Sequence, residues 1–377
     1  MAWISGVACT EFGRLPGLDA IGWQSRAARA AIADAGLEPA QVDGLLAGYA
    51  TTLRHLMPAD LLAEYLGLKP TVAFGVSAGG ATGLSMVATA AALVDSGSAH
   101  TVLVVGGENR ASGQTSDTSI ETLAQVGHSR YEVPLGANVP AYYALLASHY
   151  LHSRGLDAAS LSPLAVQMRR HAITTPGAHF TTPISESDVS SSPLIADPLR
   201  LLDCCPISDG GAAFVITDRP RGSSALRIAG VGQAHRHQHV SEADLENLGA
   251  ASAAHDALSQ CGWTTGELDT VGIYDSFTVT LAMLLEEIGI CERGKAGADA
   301  AAGRFERTGT LPLNTHGGLL SYGHCGVAGG MAHLAEVSRQ LRSSCGPRQI
   351  SGPARRALVH ADGGVMSAHV SLAVERP

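Results

Sequence analysis

Apolar residues along this chain fall into two kinds of run that alternate. Short unbroken apolar stretches at residues 102–105 and 357–359, and the mostly apolar runs 226–231 and 368–374, have the length and composition of strands. Between them lie Ala-rich stretches of helical length. Gly79-Gly80-Ala81-Thr82-Gly83 opens a helix running to about Val94, and Gly326-Val327-Ala328-Gly329-Gly330 opens another running to about Leu341. Each is followed by one of the short apolar strands, and residues 1–7 read as a first strand. Helices alternating with buried strands predict an α/β fold.

The pattern is written twice. A-A-R-A-A-I-A-D-A-G-L-E-P-A-Q-V-D-G-L-L from Ala27 returns as A-A-H-D-A-L-S-Q-C-G-W-T-T-G-E-L-D-T-V-G from Ala253, with Gly36 matching Gly262 and Asp43 matching Asp269. Each copy reads as helix, glycine stop, turn and strand, so the chain is two copies of one α/β unit. The first half is placed at 1–220 and the second at 226–377, with the linker around Gly222-Ser223-Ser224. An insertion at about 109–202 lengthens the first half. It is rich in Ser, Thr, Pro and His, has helical patches at 142–151 and 162–171, and fits a lid or substrate loop domain more than core. Residues 292–311 show no period and are expected to form a surface loop.

Composition narrows the classes of function. At 45% hydrophobic and 16% charged residues over 377 positions, the chain can bury a large core and still leave an apolar subunit interface, so an oligomer is expected. A net charge of −9 with no basic run argues against nucleic acid as the main partner. No apolar run reaches membrane-spanning length and no charged segment precedes the first strand, so a cytoplasmic protein without membrane association is expected. The seven cysteines are scattered, with no C-x-x-C pair, and fit neither a zinc site nor a disulfide framework. Reduced thiols, no metal and no bound cofactor are the expectation.

Four motifs carry the chemistry: G-G-A-T-G-L-S-M from Gly79, D-C-C-P-I-S-D-G-G-A-A from Asp203, Y-D-S-F from Tyr274, and N-T-H-G-G-L-L-S-Y-G-H-C-G from Asn314. In this order, on a duplicated unit, they resemble the thiolase superfamily over essentially the whole chain, and its sterol-carrier-type branch most. The resemblance implies a duplicated five-layered αβαβα fold with an inserted loop domain. Thiolases attack an acyl-CoA with a cysteine placed just before the second helix of the first half, in a C-A-x-G context. Here Gly80 stands before Ala81-Thr82-Gly83, and glycine offers no nucleophile. The second thiolase cysteine, of a C-x-G-G motif, is missing too, because His360-Ala361-Asp362-Gly363-Gly364 occupies that region. The family histidine that helps hold the thioester oxygen is matched by His324. The residue that orders a water at the same oxyanion site is matched by Tyr274, and Tyr322 stands two positions before His324.

That set resembles the thiolase-fold aldolases of bacterial steroid side-chain degradation, which lack the nucleophilic cysteine and use paired tyrosines. By this resemblance Tyr274, Tyr322 and His324 are catalytic residues of a retro-aldol cleavage of a bulky, steroid-like β-hydroxyacyl-CoA. The two tyrosines transfer protons, which of them is the base stays open, and His324 lowers the phenol that acts as base. Gly80, His316, Gly317, Gly318, Gly363 and Gly364 are assigned to substrate binding, the glycines as positions of positive φ or close approach, some facing the pantetheine arm. His316 either lines the pocket or caps a turn. Arg154, Arg169 and Arg170 either meet the CoA phosphates or form an exposed basic helix face, and Cys204 and Cys205 mark a buried structural turn.

Two other functions stay open at this point. One is an acyltransferase with an unusual nucleophile, Cys325 or Ser77. The other is a non-catalytic thiolase-like subunit that binds acyl-CoA or lipid. For partners, the resemblance implies an acyl-CoA substrate, a homodimer, and a small zinc-ribbon and OB-fold protein completing a heterotetramer.

Overall fold

The computed structural model describes residues 1–377, apart from the side chain of Ser116. The repeated segments fold alike. The first gives helix Ala20–Asp34, Gly36 at φ 64° and strand Gly44–Gly48, and the second gives helix Ala250–Ser259, Gly262 at φ 68° and strand Thr270–Ile273. The repeated aspartates do the same work. Asp43 accepts the backbone N–H groups of His100 and Thr101, where strand Thr101–Asn109 begins. Asp269 accepts those of Arg355 and Arg356, where strand Arg356–Gly363 begins. Close packing demands glycine on the facing strands, because a Cβ on Gly6 would run into the Ala31 carbonyl oxygen and one on Gly230 into that of Ala257, the repeat-mate of Ala31.

Nine strands form one mixed sheet in the spatial order Val72–Val76, Gly44–Gly48, Thr101–Asn109, Asp209–Thr217, Trp3–Cys9, Leu226–His235, Ala368–Glu375, Arg356–Gly363, Thr270–Ile273. The first five come from the first half and the last four from the second, each half repeating the other outward from the middle. They join through a short antiparallel pairing of Trp3 with Arg227 and Ile4 with Leu226. In both halves the repeat strand runs parallel to its successor, which then pairs antiparallel with the next.

Helices Thr82–Asp95 and Val327–Leu341 touch each other and strands of both halves, so they form the middle layer. Ala20–Asp34 and Pro58–Leu66 cover the outer face of the first half, and Ala250–Ser259 that of the second. The result is the expected five-layered αβαβα arrangement. Apolar and small residues all round the two middle helices follow from burial on every side.

Two regions differ from expectation. The insertion is largely core: helices Val139–Arg154 and Ser162–Ile173 bury Tyr142, Tyr143, Leu146, Tyr150, Leu164 and Met168, packing against helix Thr278–Glu287 of the second half. Its polar composition belongs to the connecting segments. Residues 292–311 are not wholly a surface loop either, because helix Ala296–Ala301 buries one face, at Ala296, Gly297 and Ala300, and the side chains of Phe305 and Leu311 are buried. Six helical residues are too few to write a period. Among the described residues no helix is long and apolar enough to cross a membrane.

Candidate active site

The N-terminal ends of the two middle helices and the ends of several strands converge on a cavity of about 260 Å³. Gly80 enters from just before helix Thr82–Asp95, and His324 from just before Val327–Leu341. Tyr274 follows strand Thr270–Ile273, Asp362 to Gly364 end strand Arg356–Gly363, and Glu108 and Arg110 lie at the end of Thr101–Asn109. The insertion helix Val139–Arg154 adds Tyr143. Helix N-termini aimed at a cavity favour negative charge developing there.

Gly80 has no side chain because Tyr274 occupies the space. A Cβ on residue 80 would run into the Tyr274 hydroxyl oxygen and sit 2.5 Å from the carbonyl oxygen of Asp362. The Tyr274 hydroxyl forms a 2.8 Å hydrogen bond with His324 Nε2. Burial holds the Tyr274 phenol well above its ordinary range, and the Asp362 carboxylate adds to this. Burial, then the positive charge of Arg110, pushes His324 down to about 3. A neutral phenol therefore meets a neutral imidazole. The expectation that His324 would lower the phenol is reversed, since an uncharged imidazole supplies no positive charge.

Asp362 is the second centre of the cavity. It is 1% exposed. Tyr143 donates to its Oδ2 at 3.2 Å, with the Gly364 carbonyl also 3.2 Å from the same hydroxyl, and the Tyr143 ring stacks on Phe277 at 4.3 Å. Asp362 Oδ1 has no hydrogen-bond partner among the described residues. Burial pushes the Asp362 carboxyl up to about 7, opposed by the Tyr143 hydroxyl and the Met366 N–H. Glu108, in the same cavity, accepts from the Thr51 N–H and hydroxyl at 2.7 Å each, with Arg110 Nε 4.0 Å from its other oxygen.

Of the residues singled out in the sequence, Gly80, Tyr274, His324, Gly363 and Gly364 meet at this cavity. Tyr322, His316, Gly317 and Gly318 do not line it. Tyr322 donates its hydroxyl to the Thr10 carbonyl at 2.7 Å and packs on Phe12 and His316, while Gly323, at φ 127°, turns the chain between it and His324. Gly317 makes room for Ala172 and Gly318 for the Asp275 carboxylate, which explains both without a ligand.

Cys325 is fully buried and donates its thiol to the carbonyls of Gly210, at 2.8 Å, and Glu108, at 3.2 Å. Burial drives that thiol well above its ordinary range. Ser77 is exposed and does not line the cavity. Cys204 and Cys205 do line it, but burial raises both thiols, Cys204 to about 12. Arg154 pairs with Glu246 and Glu286, Arg170 with Glu306, and Arg169 donates to Ser321 Oγ and the Thr182 carbonyl.

Residues 4–220 match the family model described as "Thiolase, N-terminal domain", and residues 232–376 the model described as "Thiolase C-terminal domain-like". The chain belongs to the thiolase family.

Its relatives among thiolases carry two chemistries. It is similar to a steroid side-chain-cleaving aldolase of Thermomonospora curvata, with 32% identity covering 100% of this chain and 98% of the relative. It is also similar to an acetyl-CoA acetyltransferase of Methanothermobacter thermautotrophicus, with 29% identity covering 96% of each. Among solved structures, an "Ltp2-ChsH2(DUF35) aldolase" superposes with a TM-score of 0.86 at 32% identity, covering 99% of this chain and 97% of that one. In this chain the side-chain space at Gly80, the position that the sequence resemblance matches to the thiolase nucleophile, is filled from across the cavity by Tyr274. Tyr143 and Asp362 escaped the reading of the sequence as site residues. Asp362 had a signal, a carboxylate beside Gly363-Gly364 at the end of a buried strand, whereas Tyr143 lies in an insertion with no motif.

Proposed function

We propose that this thiolase is a retro-aldolase that cleaves a β-hydroxyacyl-CoA into a carbonyl compound and a shortened acyl-CoA. The observation that carries the reading is the Tyr274 hydroxyl standing in the space over Gly80, hydrogen-bonded to His324. A covalent acyl-enzyme has no atom to form on at that position. A retro-aldol step needs no nucleophile. It needs a base for the β-hydroxyl and a donor for the thioester enolate that leaves when the Cα–Cβ bond breaks. A neutral phenol, backed by a neutral imidazole and two helix N-termini, suits the donor. Tyr274 holds the enolate oxygen and supplies the proton that ends on Cα.

A bulky, steroid-like acyl group is part of the proposal, supported by the aldolase relative. A homodimer that takes a small zinc-ribbon and OB-fold partner into a heterotetramer is proposed from the same likeness, as is a cytoplasmic location. The acyltransferase reading loses support with its two substitute nucleophiles, because Cys325 is sealed by two carbonyls and Ser77 is outside the cavity.

The test is to incubate the chain, alone and with a zinc-ribbon protein encoded beside it, with β-hydroxyacyl- and β-ketoacyl-CoA thioesters, following products and protein mass together. Release of a carbonyl fragment and a shortened acyl-CoA with no added protein mass is the expected result. A trapped acyl mass on the protein would overturn it.

A further inference from the structure

Tyr274 and His324 account for the donor side of the proposed cleavage and leave the base unassigned. The expected second phenol, Tyr322, is turned away to the Thr10 carbonyl. Of the two carboxylates that line the cavity, Glu108 is held by Thr51 and faces the charged Arg110, while Asp362 faces no cationic side chain and has an oxygen with no hydrogen-bond partner among the described residues. We infer that Asp362 is the base that accepts the β-hydroxyl proton of the substrate, through its unpartnered Oδ1, and that Tyr143 is the residue that positions it.

Four observations support this assignment, which rests on the retro-aldolase reading. Asp362 lies at the end of strand Arg356–Gly363 and lines the cavity with Tyr274 and His324. The carbonyl oxygen of Asp362 and the hydroxyl of Tyr274 both border the space over Gly80, which places the end of this strand beside the phenol. Its two oxygens are used differently, Oδ2 taking the Tyr143 hydroxyl while Oδ1 has no partner among the described residues. An ionised carboxylate buried with a free oxygen is costly unless a ligand donates to it, and a substrate hydroxyl is such a donor. Tyr143, held by its stack on Phe277, leaves the carboxylate one orientation.

The surroundings allow Asp362 to change charge on its own. Tyr143 and Tyr274 face it as neutral phenols, both held above their ordinary range by burial. His369, its cross-strand partner, and His360 are engaged with each other, Ser371 and the Met366 carbonyl, and burial holds both imidazoles neutral. Glu108 and Arg110 line the same cavity and pair with one another. With its carboxyl at about 7, Asp362 is poised to give and take a proton near neutral pH.

The step balances. The β-hydroxyl proton goes to Asp362 Oδ1 and the O–H electron pair becomes the new carbonyl bond. The Cα–Cβ bond breaks, and its pair passes into the thioester enolate, which takes a proton from Tyr274 at Cα. Asp362 then loses its proton to solvent and Tyr274 regains one.

The experiment uses the full chain, with its partner if cleavage requires one. It compares wild type, Asp362→Asn and Tyr143→Phe for kcat, KM and β-hydroxyacyl-CoA affinity across pH 5–9. Wild type is expected to lose kcat as pH falls through about 7. Asp362→Asn is expected to lower kcat by roughly 10²–10⁴-fold, with substrate affinity kept within about threefold and no acid limb. Tyr143→Phe removes a hydrogen bond that favours the carboxylate, so its acid limb moves to higher pH with a smaller loss in kcat.

Wild-type turnover by Asp362→Asn with the acid limb in place overturns the assignment. Should that variant not fold, an unmoved acid limb in Tyr143→Phe overturns it. Absence of any cleavage by the wild type removes the aldolase reading itself, whereas cleavage that ignores Asp362 removes only this assignment.

Discussion

The Tyr274 hydroxyl oxygen stands where a Cβ on Gly80 would have to go, so a side chain at position 80 and the phenol at position 274, one from each half of the chain, exclude each other. The absence of a side chain at 80 is thus the steric condition for the phenol at 274.

Gly80→Ala and Gly80→Cys should therefore be damaging. Overpacking of this kind costs roughly 1–3 kcal/mol. Cleavage should fall at least tenfold as Tyr274 is displaced from His324. Adding Tyr274→Phe should recover part of the stability, an interaction read from urea unfolding of the two single variants and the double. Full additivity would contradict the steric account.

Tyr274→Phe should lower cleavage by roughly 10²–10⁴-fold while leaving acyl-CoA affinity nearly unchanged. His324 titrates at about 3 and the Tyr274 phenol is held well above its ordinary range, so neither should place a limb between pH 5 and 9. A pH–rate profile with a limb that vanishes in His324→Gln would contradict this.

Tyr322→Phe should be mild in catalysis, within about threefold of wild type, because its hydroxyl serves the Thr10 carbonyl outside the cavity. Its effect should be on stability, about 1 kcal/mol by denaturant unfolding. A loss of kcat matching that of Tyr274→Phe would return Tyr322 to the catalytic set.

Asp362 should make stability pH-dependent. Its carboxyl is raised from 3.8 to about 7 in the folded chain, so the folded state holds its proton more tightly than the unfolded state. Stability from this group is full below about 4 and is lost as pH rises towards 7. Asp362→Asn should therefore be relatively more stable than wild type at pH 8 than at pH 5, by roughly 2–3 kcal/mol if the whole shift is realised. Urea unfolding at both pH values checks the sign.

Asp43→Ala and Asp269→Ala should each destabilise by about 1 kcal/mol, since each removes the acceptor for one exposed N–H and one part-buried N–H at the start of a strand. The two sites lie in different halves, so the double variant should lose close to the sum. Chemical denaturation of the three variants measures this.

The repeat was legible because both copies must end a helix with glycine and start a strand under an aspartate, and these needs are local. Gly80 was legible because a missing nucleophile is a matter of chemistry, wherever the chain runs. The placement of Tyr322 was not legible, because it stands two positions from His324 in sequence while Gly323, at positive φ, turns the chain between them and the Tyr322 hydroxyl bonds the Thr10 carbonyl. The role of Tyr143 was hidden because a tyrosine on an insertion helix reads the same whether it packs or faces a cavity. Asp362 was visible as a residue, but its orphan oxygen depends on strand ends brought together from across the fold.

The joining of nine strands into one sheet, with two helices shared between the halves, has a consequence for how the chain matures. Gly80, Glu108 and, from the insertion, Tyr143 belong to the first half, and Tyr274, His324 and Asp362 to the second. A chain with only its first half folded holds Gly80, Glu108 and Tyr143 and lacks the tyrosine–histidine pair and Asp362. The ability to retain substrate thus reports that synthesis and docking are complete, and a half-made molecule has no means of sequestering a reactive thioester.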